Sequence, residues 1–130
     1  MSNEILNPAE TGTVQLQVEG LSKRFTVKHQ GRKATLNAVN DVSFQIRKGE
    51  TFSIVGESGC GKSTLGRCIA RLIEPTEGRV LLEDEDIGAL TGEPLRQLRK
   101  RIQFIFQDPY SSMNPRMKVR AILSEPLRNF

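Results

Sequence analysis

The chain has 130 residues, of which 37% are hydrophobic and 26% charged, with a formal net charge of +4. This is one ordinary domain at most, with apolar content enough for a core, so disordered and fibrous classes are excluded. No apolar run reaches the ~18 residues of a membrane span, and residues 1–13 hold only Ile5 and Leu6 beyond Met1 as bulky apolar side chains.

A polar tail at residues 1–13 and a cytoplasmic location are therefore expected. The charge is uneven: residues 1–86 sum to −1 and residues 87–130 to +5. A basic second part can face nucleic acid, an anionic membrane surface or an acidic partner. Its charges follow helical spacing with few aromatics between them, which is the pattern of a solvated helix face. No nucleic-acid partner is expected.

In chain order, Val14-Gln15-Leu16-Gln17-Val18 alternates apolar and polar, as a half-buried strand does. Gly20 punctuates, and Lys23 to Val27 predicts a second strand. His29 to Lys33, with Gly31, reads as a hairpin tip. Val39, Val42, Phe44 and Ile46 form another alternating run, and the short turns between these segments predict antiparallel pairing. Lys48-Gly49-Glu50 then turns the chain into Thr51-Phe52-Ser53-Ile54-Val55, a short apolar strand expected to lie in a parallel sheet.

The next stretch carries the chemistry. Gly56-Glu57-Ser58-Gly59-Cys60-Gly61-Lys62-Ser63-Thr64 fits the phosphate-binding pattern G-x-x-x-x-G-K-[ST] at Gly56, Gly61, Lys62 and Ser63. Its context is a strand before and a helix after. Glycines let the backbone wrap closely around phosphate oxygens, so that successive N–H groups form an anion nest. The helix beginning near Lys62 adds its positive end. Lys62 would reach the β- and γ-phosphates of ATP, and the Ser63 hydroxyl would ligate Mg²⁺. A glycine-rich turn that binds nothing would leave the Lys-Ser pair unexplained.

In the helix, Leu65, Cys68, Ile69 and Leu72 share one face, and Glu74-Pro75 is the expected stop. Cys60 and Cys68 lie too far apart along the helix axis to bridge. Arg79 to Leu82 predicts a strand ending in four acids, Glu83 to Asp86. Pro94 to Arg101 predicts a helix with proline near its first turn. Ile102 to Phe106 predicts a strand, and Val119 to Leu127 a weak helix that Pro126 ends or kinks. ATP hydrolysis on such a loop needs a second group near Mg²⁺. Val80 to Asp84 and Phe104 to Asp108 both imitate it. The second is preferred, because it puts Gln107, a neutral oxygen donor, at a strand end.

With these residues in place, the chain resembles the ATP-binding subunit of ABC transporters of the oligopeptide and dipeptide importer type. The resemblance rests on Val39-Asn40-Asp41-Val42-Ser43-Phe44, Gly49-Glu50-Thr51, Gly56 to Thr64, Arg71 to Val80, and Ile105 to Met117, the last being the most specific. It covers nearly all of Val14 to Phe130. The implied fold class is α/β: a phosphate-loop NTPase with a RecA-like parallel sheet core and an N-terminal antiparallel β subdomain, cut at the start of the helical subdomain. Residues 14–130 would be the N-terminal portion of the ATP-binding domain.

The resemblance further implies that Phe25 stacks on adenine and that Gln107 reaches Mg²⁺ and couples the site to the following helical region. It implies a second ATPase subunit, paired head-to-tail, and transmembrane permease subunits, with the protein peripheral on the cytoplasmic face of the membrane. The family's signature segment, its Asp-Glu strand and its switch histidine are not found among the 130 residues. No catalytic residue is assigned, and binding of Mg·ATP without turnover is expected. Asp84 stands where the family has glycine in a tight turn, a place aspartate tolerates. The other readings are a non-catalytic nucleotide-binding or interaction module, and a different phosphate-loop enzyme such as a small-molecule kinase or a nucleic-acid-associated ATPase.

Overall fold

The structure, a computed structural model, describes residues 12–29, 31–108, 110 and 113–129. The tail expected at 1–13 lies almost wholly outside them. The chain divides into two compact units, residues 1–89 and 90–130, each taken by itself below.

The first unit is built on a long hairpin. Strand β1 (Val14–His29) and strand β2 (Arg32–Arg47) are 16 residues each, about three times the usual strand length. They pair antiparallel from Val14 opposite Arg47 to His29 opposite Arg32. The two short strands expected at 14–18 and 23–27 are thus one strand with an irregularity between them. Register shifts fall between Val18 and Arg24. There the Ser43 hydroxyl accepts from Gly20 N at 2.8 Å and the Ser22 hydroxyl accepts from Asp41 N at 2.9 Å. Two side-chain oxygens stand in where ladder carbonyls are displaced, which keeps backbone donors satisfied.

Strand β3 (Glu77–Leu82) joins the other edge of β1, and the two-residue β4 (Glu85–Asp86) closes a sheet of order β2-β1-β3-β4, antiparallel throughout. Glu83 and Asp84 have φ of 51° and 66°. Two positive-φ residues between paired strands are what a tight hairpin of right-handed twist requires. Asp84 accordingly takes the turn in place of glycine, as expected.

Helix α1 (Lys62–Ile69) packs on this sheet through Leu65 and Cys68, beside Val18, Leu21, Val39, Val80, Leu82 and Ile87. Each such side chain, fully buried, contributes about 1.5–3 kcal/mol. The helix ends earlier than Glu74-Pro75. Arg71 turns to a φ of 53°, and Leu72, expected on the buried face, is exposed. The Arg71 guanidinium is buried and donates to the carbonyls of Ile87 and Gly88, both at 3.1 Å. These bonds reach across the sequence and outweigh one more turn of helix. Arg71→Met is expected to cost about 2 kcal/mol, the worth of charge-assisted bonds to two carbonyls left unpaired; urea titration of the variant checks it.

Thr51–Val55, expected as a parallel strand, forms no ladder. Among the described residues no parallel partner pairs with it, and a parallel ladder cannot form from one strand. Its tie to the sheet is a stacked pair, Phe44 against Phe52, with centroids 4.6 Å apart. Val55 is 91% exposed. The antiparallel subdomain and the α/β character hold as expected.

The second unit contains α2 (Gly92–Arg101) and α3 (Val119–Asn129). Glu93 in the first turn of α2 and Arg99, Lys100 and Arg101 in its last turn complement the helix dipole. The Gln97 amide, donating to Glu93, and the Arg96 charge hold the Glu93 carboxyl below its ordinary range. The Arg96 guanidinium also donates to the Asn129 carbonyl, joining the two helices. Pro126 sits inside α3 and does not end it at Leu127. Ile102 to Phe106, expected as a strand, forms no ladder among the described residues, and the rings of Phe104 and Phe106 meet edge to face at 5.0 Å.

Candidate functional site

The loop Gly56–Thr64 follows the segment Thr51–Val55 and enters α1 directly. Gly59 and Gly61 have φ of 82° and 96°, a left-handed region that L side chains seldom occupy. Gly61 is the N-cap of α1 and supplies no side-chain cap. The first helical bond runs from Leu65 N to the Gly61 carbonyl at 2.8 Å. The amides of Lys62, Ser63 and Thr64 therefore lie ahead of the helical ladder, where an anion can take them.

Lys62 is folded over its own loop. Its Nζ donates to the carbonyls of Gly56 at 2.7 Å and Glu57 at 2.6 Å, and lies 3.5 Å from Cys60 Sγ. One ammonium thus gathers both ends of a five-residue curve. Ser63 is exposed next to it, and Glu57, Ser58 and Gly59 are exposed along the outer rim.

The second pattern glycine has a packing reason that the pattern does not state. A Cβ on Gly61 would sit 2.0 Å from the Ala38 carbonyl of β2. A Cβ on Gly56 would meet Cys60 Sγ at 2.7 Å. Cys60, Gly61 and Lys62 line a cleft of about 900 Å³ together with Asn37 to Phe44 of β2, Phe52 to Val55 and Leu65.

Cys60 is exposed and Cys68 buried, and both are free thiols. Burial pushes the Cys68 thiol up, opposed in part by the Lys23 charge. Phe25 is half-buried on β1 opposite Leu36, and does not line the cleft. Gln107 lies exposed in a bend of the second unit. Sequence reading missed two features: the Ala38 carbonyl under Gly61, and Lys23, whose Nζ stands 5.0 Å from the centre of the Phe25 ring. The second had a signal, since residues two apart on a strand share a face.

A glycine-rich loop running into a helix beside a sheet defines the class of phosphate-loop α/β proteins. Comparison narrows it. The family described as ABC transporter matches residues 39–125, two thirds of the sequence. The chain belongs to the ABC transporter family. A probable peptide ABC transporter ATP-binding protein of Sinorhizobium fredii is 51% identical over 118 residues, covering 88% of this chain and 33% of its own. The oligopeptide transport ATP-binding protein AppF of Bacillus subtilis is 48% identical over 115 residues, covering 85% of this chain and 35% of its own.

Among solved structures, a dimeric bacterial ABC transporter cassette aligns with a TM-score of 0.67 at 29% identity, over 78% of this chain and 42% of that one. A post-hydrolysis dimer of an ATP-binding cassette bound to ADP and Pi aligns with a TM-score of 0.58 at 29% identity, over 65% of this chain and 35% of that one. The chain spans about a third of the length of the curated relatives it matches.

Proposed function

We propose that this chain supplies the phosphate-holding part of an ATP-binding subunit that powers peptide import. The observation carrying the proposal is the loop itself: Lys62 drawn over the Gly56 and Glu57 carbonyls, at the mouth of a helix whose first amides are open. The named relatives, which are peptide and oligopeptide transport proteins, support the choice of substrate class.

In this reading the amides from Gly56 to Thr64 bind phosphate oxygens and Lys62 places one positive charge among them. Phe25 stacks on the adenine. The residues fit Mg²⁺, which takes hard oxygen donors and keeps several waters: the Ser63 hydroxyl is exposed at the start of α1. Gln107 offers a side-chain carbonyl of the same kind, and its part rests on the family alone. When bound, Mg·ATP supplies the phosphoanhydride whose cleavage drives transport. The partners in this reading are a second ATPase subunit, arranged head-to-tail, and permease subunits that bring the protein to the cytoplasmic face of the membrane. Titrating Mg·ATP into the chain tests the reading: saturable binding without turnover is expected, and no binding at millimolar nucleotide would overturn it.

Cys60 gives a second check. An exposed thiol within the loop, 3.5 Å from Lys62 Nζ, reacts with an alkylating reagent in the space the phosphates occupy. Alkylation of the native chain at pH 8 is expected to modify Cys60 quickly and Cys68 only after unfolding. Saturating Mg·ATP is expected to slow the Cys60 reaction at least about tenfold, as mass action on a shared site requires. Equal rates with and without nucleotide would separate Cys60 from the site.

A further inference from the structure

Strand β1 is tied to the segment after α1 at three consecutive residues, Ser22, Lys23 and Arg24. The Ser22 carbonyl accepts from Thr76 N at 2.8 Å. Lys23 Nζ donates to the Glu74 carbonyl at 2.7 Å. Arg24 N donates to the Thr76 hydroxyl at 3.0 Å, and its guanidinium meets both oxygens of Glu77, at 2.5 and 3.0 Å. The same Lys23 ammonium stands 5.0 Å from the centre of the Phe25 ring. Among the described residues no other aromatic ring stacks on Phe25.

From this we infer that Lys23 is a positioning residue for base binding, holding the Phe25 ring in the orientation in which its opposite face accepts a flat base. The inference rests on the reading that Phe25 stacks on adenine. The ammonium has a fixed seat on the Glu74 carbonyl, so it is not a wandering surface charge. A cation over a ring is attracted to its π face, which disfavours rotation of the ring away from Lys23. It also draws electron density from the ring, lessening the repulsion between two stacked π clouds. Glu74 follows α1, and α1 carries the phosphate loop at its other end. One helix therefore sets the place of the phosphates at its start and the place of the base-stacking ring just past its end.

The test measures binding of Mg·ATP and of Mg·tripolyphosphate, which has no base, to the full chain. Lys23→Met keeps the apolar stem and removes the charge. It is expected to weaken Mg·ATP about three- to tenfold, the size of a partly desolvated cation–π contact, and to leave tripolyphosphate within about twofold. Lys23→Arg is expected to restore the ATP affinity. Phe25→Ala is expected to lose as much or more for ATP alone, and adding Lys23→Met to it is expected to cost nothing further. Equal losses for both ligands, or additive losses in the double variant, would overturn the inference. If Phe25→Ala weakens ATP while Lys23→Met does not, the inference falls and base stacking stands. If Phe25→Ala leaves ATP unchanged, base stacking itself falls, and the inference with it.

Discussion

Replacing Lys62 with alanine is expected to take Mg·ATP binding below detection in calorimetry, a loss of at least about a hundredfold, or about 3 kcal/mol. The side chain has two tasks in the structure. Its ammonium joins the Gly56 and Glu57 carbonyls, 2.7 and 2.6 Å away, and so keeps the loop curved. It is also the positive side chain of the first residue of α1, where phosphate charge would gather in the proposed function. Alanine removes both, and no cation replaces the lost charge-assisted bonds.

The free protein should tolerate the change. The loop is exposed along its outer rim and the bonds run to carbonyls that water can reach, so the melting temperature is expected to move by only a few degrees. A large fall in affinity with a small fall in stability assigns the lysine to binding. Unchanged affinity would remove the basis of the proposed function. The unaltered chain is expected to show no turnover; a turnover that disappears in Lys62→Ala would overturn that part of the proposal.

Gly61→Ala is expected to act in the opposite sense, on the fold more than on the ligand. The added Cβ would stand 2.0 Å from the Ala38 carbonyl, a backbone atom in a paired strand that cannot move aside. The φ of 96° adds strain for any L side chain. Relief requires α1 to lift from β2, exposing Leu65, Cys68 and Val39 together. A cost of about 4 kcal/mol or more follows, at the extreme of single substitutions, and the urea midpoint is expected to fall by about 2 M. Gly59→Ala is the comparison. Its φ is 82°, but nothing lies within 4 Å of the added Cβ, so only the backbone penalty of about 1–2 kcal/mol applies. Equal effects of the two substitutions would show that the Ala38 carbonyl is not what Gly61 serves.

Much of the first unit was legible in the sequence because its signals are local. Alternation at Val14–Val18 and Val39–Ile46 marked strands, and short turns marked antiparallel pairing. The acids at Glu83 and Asp84 marked a turn that aspartate can make. The spacing Gly56, Gly61, Lys62, Ser63 marked a helix start near Lys62, where α1 begins. The misses have one cause. Leu72 continued the helical period, yet Arg71 leaves the helix for carbonyls sixteen and seventeen residues on. Thr51–Val55 has the composition of a parallel strand, but composition supplies no neighbour.

The sequence alone determined where the chain curves and where a helix follows, because a pattern of glycines followed by Lys-Ser encodes both locally. It also carried the family, through runs such as Ile105 to Met117 that no periodicity explains. The tertiary structure alone decided why Gly61 must lack a side chain and where the Lys23 ammonium near the Phe25 ring is anchored. Ala38 is 23 positions from Gly61 and Glu74 is 51 positions from Lys23. Contacts at that separation arise only when the β1–β2 hairpin and α1 close on each other, and no local period records them.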